Sequence, residues 1–236
     1  MNQQPIMARV AKDEPGDHLL FNDAFYTIQG EGPYAGHPAV FIRLGGCNLQ
    51  CPLCDTDYTN GNRPMAATDI ASLAYKLHPF SKDPWHAENR NVRPLVVVTG
   101  GEPLRQNLGK LFKHLQQAGF LVQVETNGTL PPPDVDGVEY IVAPKTGKVN
   151  NLLQPRVTAY KYVLKAGEHD PEDGLPLRAL DHASKRLARP HSKDVPVYVQ
   201  PLDSTNYRAN VEACVNVCMN YGYRLSLQLH KELQLP

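Results

Sequence analysis

The chain has 236 residues, 42% of them hydrophobic, and carries 24 Lys plus Arg against 24 Asp plus Glu. That length fills one large α/β domain or two small ones, and the balanced charge excludes a general electrostatic draw towards nucleic acid or an anionic membrane surface. The N-terminus lacks the apolar core of a secretory signal, and no later stretch approaches the roughly 18 uncharged apolar residues of a membrane span, so a cytoplasmic protein without direct nucleic-acid or membrane partners is expected.

In chain order, short apolar runs recur at 38–44 ("PAVFIRL"), 95–101 ("LVVVTGG"), 121–128 ("LVQVETNG"), 139–145 ("EYIVAPK"), 160–165 ("YKYVLK"), 196–203 ("PVYVQPLD") and 223–228 ("YRLSLQ"). Most are nearly continuous, as strands buried on both faces of a parallel sheet require. Helical spacing is seen between them at 68–78, 106–118 and 206–221, and places Cys214 and Cys218 one turn apart towards a core. The alternation predicts α/β architecture with parallel strands and right-handed crossovers. Polar and glycine-rich residues follow each strand, so the site is expected at the strands' C-terminal ends. A single domain over 1–236 is expected, with 59–94, rich in proline and charge, as an excursion on one connection.

Three of the five cysteines fall within eight positions of "RLGGCNLQCPLCDT", 43–56. In a reducing compartment, clustered thiols are metal ligands or redox catalysts before they are crosslinks. Structural zinc needs a fourth ligand, which Asp55, His37 or a distant residue would have to supply. A redox pair of Cys51 and Cys54 leaves Cys47 idle. An iron–sulfur cluster takes one thiolate per iron, so three thiols leave one iron of four open to a non-protein ligand. A non-enzymatic metal-binding module remains an alternative at this point.

The C-x3-C-x2-C spacing of Cys47, Cys51 and Cys54 resembles the signature of the radical S-adenosylmethionine (SAM) enzymes, and "TGGEP" at 99–103 resembles their glycine-rich second motif. The resemblance implies a partial (β/α)6 barrel and a [4Fe–4S] cluster whose open iron is chelated by SAM. It also implies reductive cleavage of SAM to a 5′-deoxyadenosyl radical. A radical SAM activase acting on a protein or peptide is a second reading of the same two motifs.

Residues 25–59, "QPLD" at 200–203 and "RLSLQLHKELQLP" at 224–236 closely resemble one family of that superfamily, the 7-carboxy-7-deazaguanine synthases. That likeness implies a lyase that contracts 6-carboxy-5,6,7,8-tetrahydropterin with loss of ammonia in queuosine biosynthesis. It implies Mg2+ at Thr56, an electron donor such as flavodoxin or ferredoxin, and a homodimer. For SAM it points to Leu53, Cys54 and Asp55, to Gly101 and Glu102, to Ala143, Pro144 and Lys145, and to Gln200, Pro201, Leu202 and Asp203. Glu102 is expected to face the ligand's ammonium. For the pterin it points to Ile28, Gln29, Gly30, Glu31, Arg43, Thr99, His230 and the carboxylate of Pro236. Arg43 has the guanidinium fork that suits a substrate carboxylate, and Glu31 an acceptor for guanidine-like N–H groups. Leu53 and Ala143 depart from the aromatic and the serine usual in the family.

Overall fold

The apolar runs become neighbours in one mixed sheet, and the parallel part of it carries the site. The computed structural model describes residues 3–11, 14–79, 93–179 and 186–235. Among these, nine strands form the sheet: β1 His18–Ile28, β2 Pro38–Leu44, β3 Arg63–Ala66, β4 Leu95–Gly100, β5 Leu121–Thr126, β6 Val138–Val142, β7 Val157–Leu164, β8 Val197–Pro201 and β9 Arg224–Leu225. Their order is β3-β1-β2-β4-β5-β6-β7-β8-β9. β1 runs antiparallel to β2 and β3, whereas each neighbouring pair from β2 through β9 is parallel. The helices are α1 Ala67–Leu77, α2 Gly109–Gln117, α3 Tyr207–Tyr221 and α4 Leu229–Glu232. This is the expected parallel α/β architecture, left open because β3 and β9 stand at opposite edges of the strand order.

Strand period two sorts the parallel strands into two faces. Val40, Ile42, Val96, Val98, Val122 and Val124 pack with Ile70, Leu111, Phe112 and Leu115 of the helices in the main core. The alternate positions begin with a small apolar cluster of Ala39, Leu95 and Val97. Farther along the same face, Arg43, Thr99, Glu125, Lys161 and Gln200 line a cavity. One face of the sheet thus changes from apolar to polar towards the strand ends, where parallel sheets hold ligands.

Three elements differ from the sequence reading. β1 is not visible as a run because Asn22 and Asp23 interrupt it, at a register shift between Phe21 and Asp23. Residues Arg63–Ala66 pair with β1, and α1 buries Ile70, Ala71 and Ala74, so this front part of the expected excursion belongs to the sheet and its helical layer. Residues 80–92 of that stretch lie outside the described residues. The run at 223–228 shortens to Arg224–Leu225, because its polar residues turn inwards: Ser226 Oγ accepts from the Gly32 N–H at 2.9 Å. Cys214 of α3 is fully buried in the core, as its spacing predicts.

Candidate active site

The cysteine loop leaves β2 at Leu44 and is held against the turn after β4. The Gly101 N–H donates to the Leu44 carbonyl at 3.2 Å, and the Glu102 N–H to the Gly46 carbonyl at 3.0 Å. The two glycines permit this approach. Gly100 has φ +131°, and a Cβ there would stand 2.1 Å from the Leu44 carbonyl oxygen. On Gly101 a Cβ would stand 2.2 Å from the Gly46 carbonyl oxygen and 3.0 Å from the Cys47 Cβ.

Glu102 follows the glycine turn directly. Its side chain does not face the cavity but is wholly buried in the wall. Oε1 accepts from the Leu104 N–H at 3.0 Å and the Thr126 hydroxyl at 2.7 Å, and Oε2 from the Asn127 N–H at 2.7 Å. Burial raises its pKa to about 7 against the pull of these donors. The donors capture the carboxylate and tie the glycine turn to the end of β5.

The N-terminal segment braces the same loop from outside. The Met7 N–H donates to the Cys47 carbonyl at 2.7 Å, Gln4 Nε2 to the Thr56 carbonyl at 2.8 Å, and the Tyr58 N–H to Gln4 Oε1 at 2.7 Å. On the loop's side all three contacts are made by backbone atoms, and on the segment's side two are made by the Gln4 side chain.

Cys47, Cys51 and Cys54 are free thiols on one cavity of about 320 Å³, with Leu53, Asp55 and Thr56 beside them. Burial pushes the Cys47 thiol up to about 12 and raises Cys51 and Cys54, so thiolates here need a cation among them. Among the described residues, no three His, Cys, Asp or Glu side chains gather as they would around one metal ion. Zinc draws its sulfurs to ~2.3 Å from a single centre, whereas a four-iron cluster spreads its thiolates over separate irons. Three thiols lining one cavity, beside a glycine turn with no side chain in the way, are the donor set for three irons of such a cluster. The Thr56 hydroxyl lies 3.3 Å from Asp55 Oδ1, an oxygen pair open to the cavity.

The same cavity is lined by the groups expected to hold substrate. Arg43 and Thr99 are register partners across β2 and β4. The Arg43 guanidinium stands 5.2 Å from the centroid of the Phe25 ring, and its Nε is buried with no hydrogen-bond partner. Ile28, Gln29 and Glu31 line the cavity after β1. Glu31 and Glu125 share Lys161: its Nζ pairs with Glu31 Oε2, and with Glu125 Oε2 at 3.4 Å. Gln228 Nε2 donates to Glu31 Oε1 at 2.7 Å, and Gln29 Nε2 to Glu125 Oε1 at 3.1 Å. Burial alone would raise the Glu31 pKa, but the Lys161 ammonium and the Gln228 amide hold it at about 2. Burial would lower that of Lys161, and the two carboxylates push it up instead.

Lys161, Glu125 and Gln228 are functional candidates that the sequence reading leaves out. Lys161 had a signal: a charged residue between two tyrosines in an apolar strand must face something polar. The alternate face of β7 is a cavity wall, with Val163 its period-two neighbour.

The remaining expected residues divide. Ala143, Lys145, Gln200, Pro201, Leu202, Asp203 and His230 line the cavity; Pro144 and Gly30 do not. Gly30 serves packing: a Cβ there would meet His230 Nδ1 at 2.4 Å, and its carbonyl accepts from the Leu229 N–H at 3.2 Å. Burial lowers the Lys145 pKa, opposed by nearby Cys51. Lys231 Nζ reaches Asp203 Oδ2 at 2.7 Å and Asp55 Oδ2 at 3.8 Å. Pro236 lies outside the described residues.

Comparison with known proteins bears on the family and the fold. No protein-family model matches the chain. The 7-carboxy-7-deazaguanine synthase of Rhodospirillum rubrum is 39% identical over 94% of this chain and 95% of its own length. That of Rickettsia prowazekii is 35% identical over 92% of this chain and 89% of its own. The crystal structure of QueE from Escherichia coli superimposes with a TM-score of 0.64 at 25% identity, covering 89% of this chain and 94% of that one. No helix among the described residues is long and apolar enough to cross a membrane. With relatives of this identity along nearly its whole length, and their fold, the chain belongs to the 7-carboxy-7-deazaguanine synthase family.

Proposed function

We infer that this chain is a radical SAM carbon–nitrogen lyase that contracts 6-carboxy-5,6,7,8-tetrahydropterin to 7-carboxy-7-deazaguanine, releasing ammonia. The observation that carries this reading is one cavity lined by the three thiols, by an unpartnered Arg43 donor and by the Glu31, Lys161 and Glu125 group. When bound at Cys47, Cys51 and Cys54, a [4Fe–4S] cluster and SAM supply the 5′-deoxyadenosyl radical.

The chain's own residues then bind and orient. Arg43 takes the pterin carboxylate, its open Nε–H completing a charge-assisted hydrogen bond. Glu31, kept ionised by Lys161, accepts from the guanidine-like N–H edge, and Thr99 lies beside Arg43 to fix the ring's approach. Gly101 and the chain at 143–145 and 200–203 surround SAM, with Lys145 and Asp203 as the charged groups. Thr56 and Asp55 give a place for Mg2+, whose shell substrate oxygens and water complete. A small iron–sulfur protein or flavodoxin delivers the electron, and the chain works as a homodimer.

Anaerobic reconstitution tests the reading. Bound iron and sulfide with a charge-transfer band are expected, and 5′-deoxyadenosine formation that depends on the carboxypterin. Zinc in place of iron, or 5′-deoxyadenosine released only with a peptide substrate, would overturn it.

A further inference from the structure

Arg105 is a buried cation beside the cysteine loop, without a carboxylate counter-charge among the described residues. It ends the short helical turn Pro103–Arg105 that follows the glycine turn, and is 6% exposed. Nη1 donates to the Gly45 carbonyl and Nη2 to the Ala8 carbonyl, each at 3.2 Å, while Nε has no partner. A Cβ on Gly46 would stand 3.0 Å from Nη1, so the guanidinium lies against the backbone immediately before Cys47. Among the described residues no carboxylate lies within ion-pair distance of it. Glu102, three residues earlier, spends its oxygens on Leu104, Thr126 and Asn127.

A buried guanidinium is stable only where carbonyls and an anion together replace its hydration. Two carbonyls are present, and among the described residues no protein anion joins them. Three thiolates around a four-iron core of about two positive charges leave about one net negative charge, and reduction by one electron adds another.

We propose that Arg105 is the counter-charge of the thiolate-held cluster, compensating it at Cys47 and favouring its reduced form. The residue touches the loop backbone and acts on the cluster through the field, so it is a positioning and tuning residue. The proposal rests on Cys47, Cys51 and Cys54 holding that cluster.

The test compares wild type, Arg105→Lys and Arg105→Gln, each reconstituted anaerobically and titrated by electron paramagnetic resonance against solution potential. Iron content and far-ultraviolet circular dichroism are measured alongside. Glutamine keeps an amide donor for a carbonyl but loses the charge; lysine keeps the charge. Arg105→Gln is expected to lower the equilibrium constant for cluster reduction about tenfold, a shift of about 59 mV for one electron, and Arg105→Lys by less than about threefold. Full iron loading in Arg105→Lys, with loss of iron from a folded Arg105→Gln, also supports the proposal. Equal shifts in both variants, no shift in either, or failure of both to load would overturn it and leave Arg105 as a backbone clamp. Wild type that takes up no iron–sulfur cluster would overturn the cluster assignment itself, and the proposal with it.

Discussion

Arg43 offers the cavity a buried Nε donor with no hydrogen-bond partner, its guanidinium 5.2 Å from the centroid of the Phe25 ring. Arg43→Ala is therefore expected to weaken carboxypterin binding by about 2–5 kcal/mol while substrate-independent SAM cleavage persists. Arg43→Lys should recover only part, since an ammonium lacks the two-pronged geometry. Kinetics with and without pterin check both, and equal loss of the two activities would place Arg43 on the cofactor. Lys161 carries a different load. Glu31 is held at about 2 against an ordinary 4.5, so its pairing adds stability that is complete above 4.5 and lost as pH falls towards 2. Lys161→Met leaves the carboxylates buried without their cation, at a cost of about 3–5 kcal/mol at neutral pH. Thermal melts should show the deficit largest near pH 7 and narrowing below pH 4.5, where wild type loses the same pairing. A deficit independent of pH would mean that packing, not charge, is what Lys161 contributes.

The elements repeat this division between what side chains announce and what backbone contacts hide. Strands β2 and β4 to β8 are legible in the sequence because both their faces are covered, which requires nearly unbroken apolar runs. β1 escapes notice because a polar pair sits at its register shift, and the brace at residues 4–10 because it rests on peptide groups and one glutamine side chain, Gln4, with no pattern to mark it. Cys47, Cys51, Cys54 and Arg43 are readable as chemistry from type and spacing. Glu125 is not, and Lys161 shows only that it must face something polar, since only the fold decides which alternate face of a strand becomes a cavity. The glycine pair reads as space for a ligand, yet its nearest neighbours are the Leu44 and Gly46 carbonyls. Gly100→Ala or Gly101→Ala should therefore destabilise the fold by about 1–3 kcal/mol and reduce iron retention, by pushing the cysteine loop off the turn. Gly109→Ala is the control: its nearest contacts would be ordinary at 3.9 Å, and Tm and iron content should hold. Equal iron retention in Gly101→Ala would show that the loop finds its place without the turn.

At the scale of the whole molecule, the two ends of the described chain close the cavity from different sides. Residues 4–10 press on the cysteine loop, and Leu229–Glu232 covers the substrate end. A helix of four residues has no stability of its own, so α4 exists by docking. It docks through the Leu229 N–H on the Gly30 carbonyl and through Lys231, which spans Asp203 and Asp55 across the mouth. His230 reaches the cavity only while that docking holds. Cluster and substrate requirements should therefore separate. Deleting residues 229–236 is expected to raise the KM for the carboxypterin about tenfold or more, the equivalent of at least one lost hydrogen bond in a dry site, with iron content unchanged. Gly30→Ala reaches the same end with the chain intact, because its Cβ would occupy the place of His230 Nδ1, 2.4 Å away. It should raise KM in the same direction by a smaller factor, and Lys231→Ala, which leaves the Gly30 contact in place, by less still. If the deletion instead strips iron while sparing KM, α4 supports the cysteine loop through Asp55 rather than the substrate through His230.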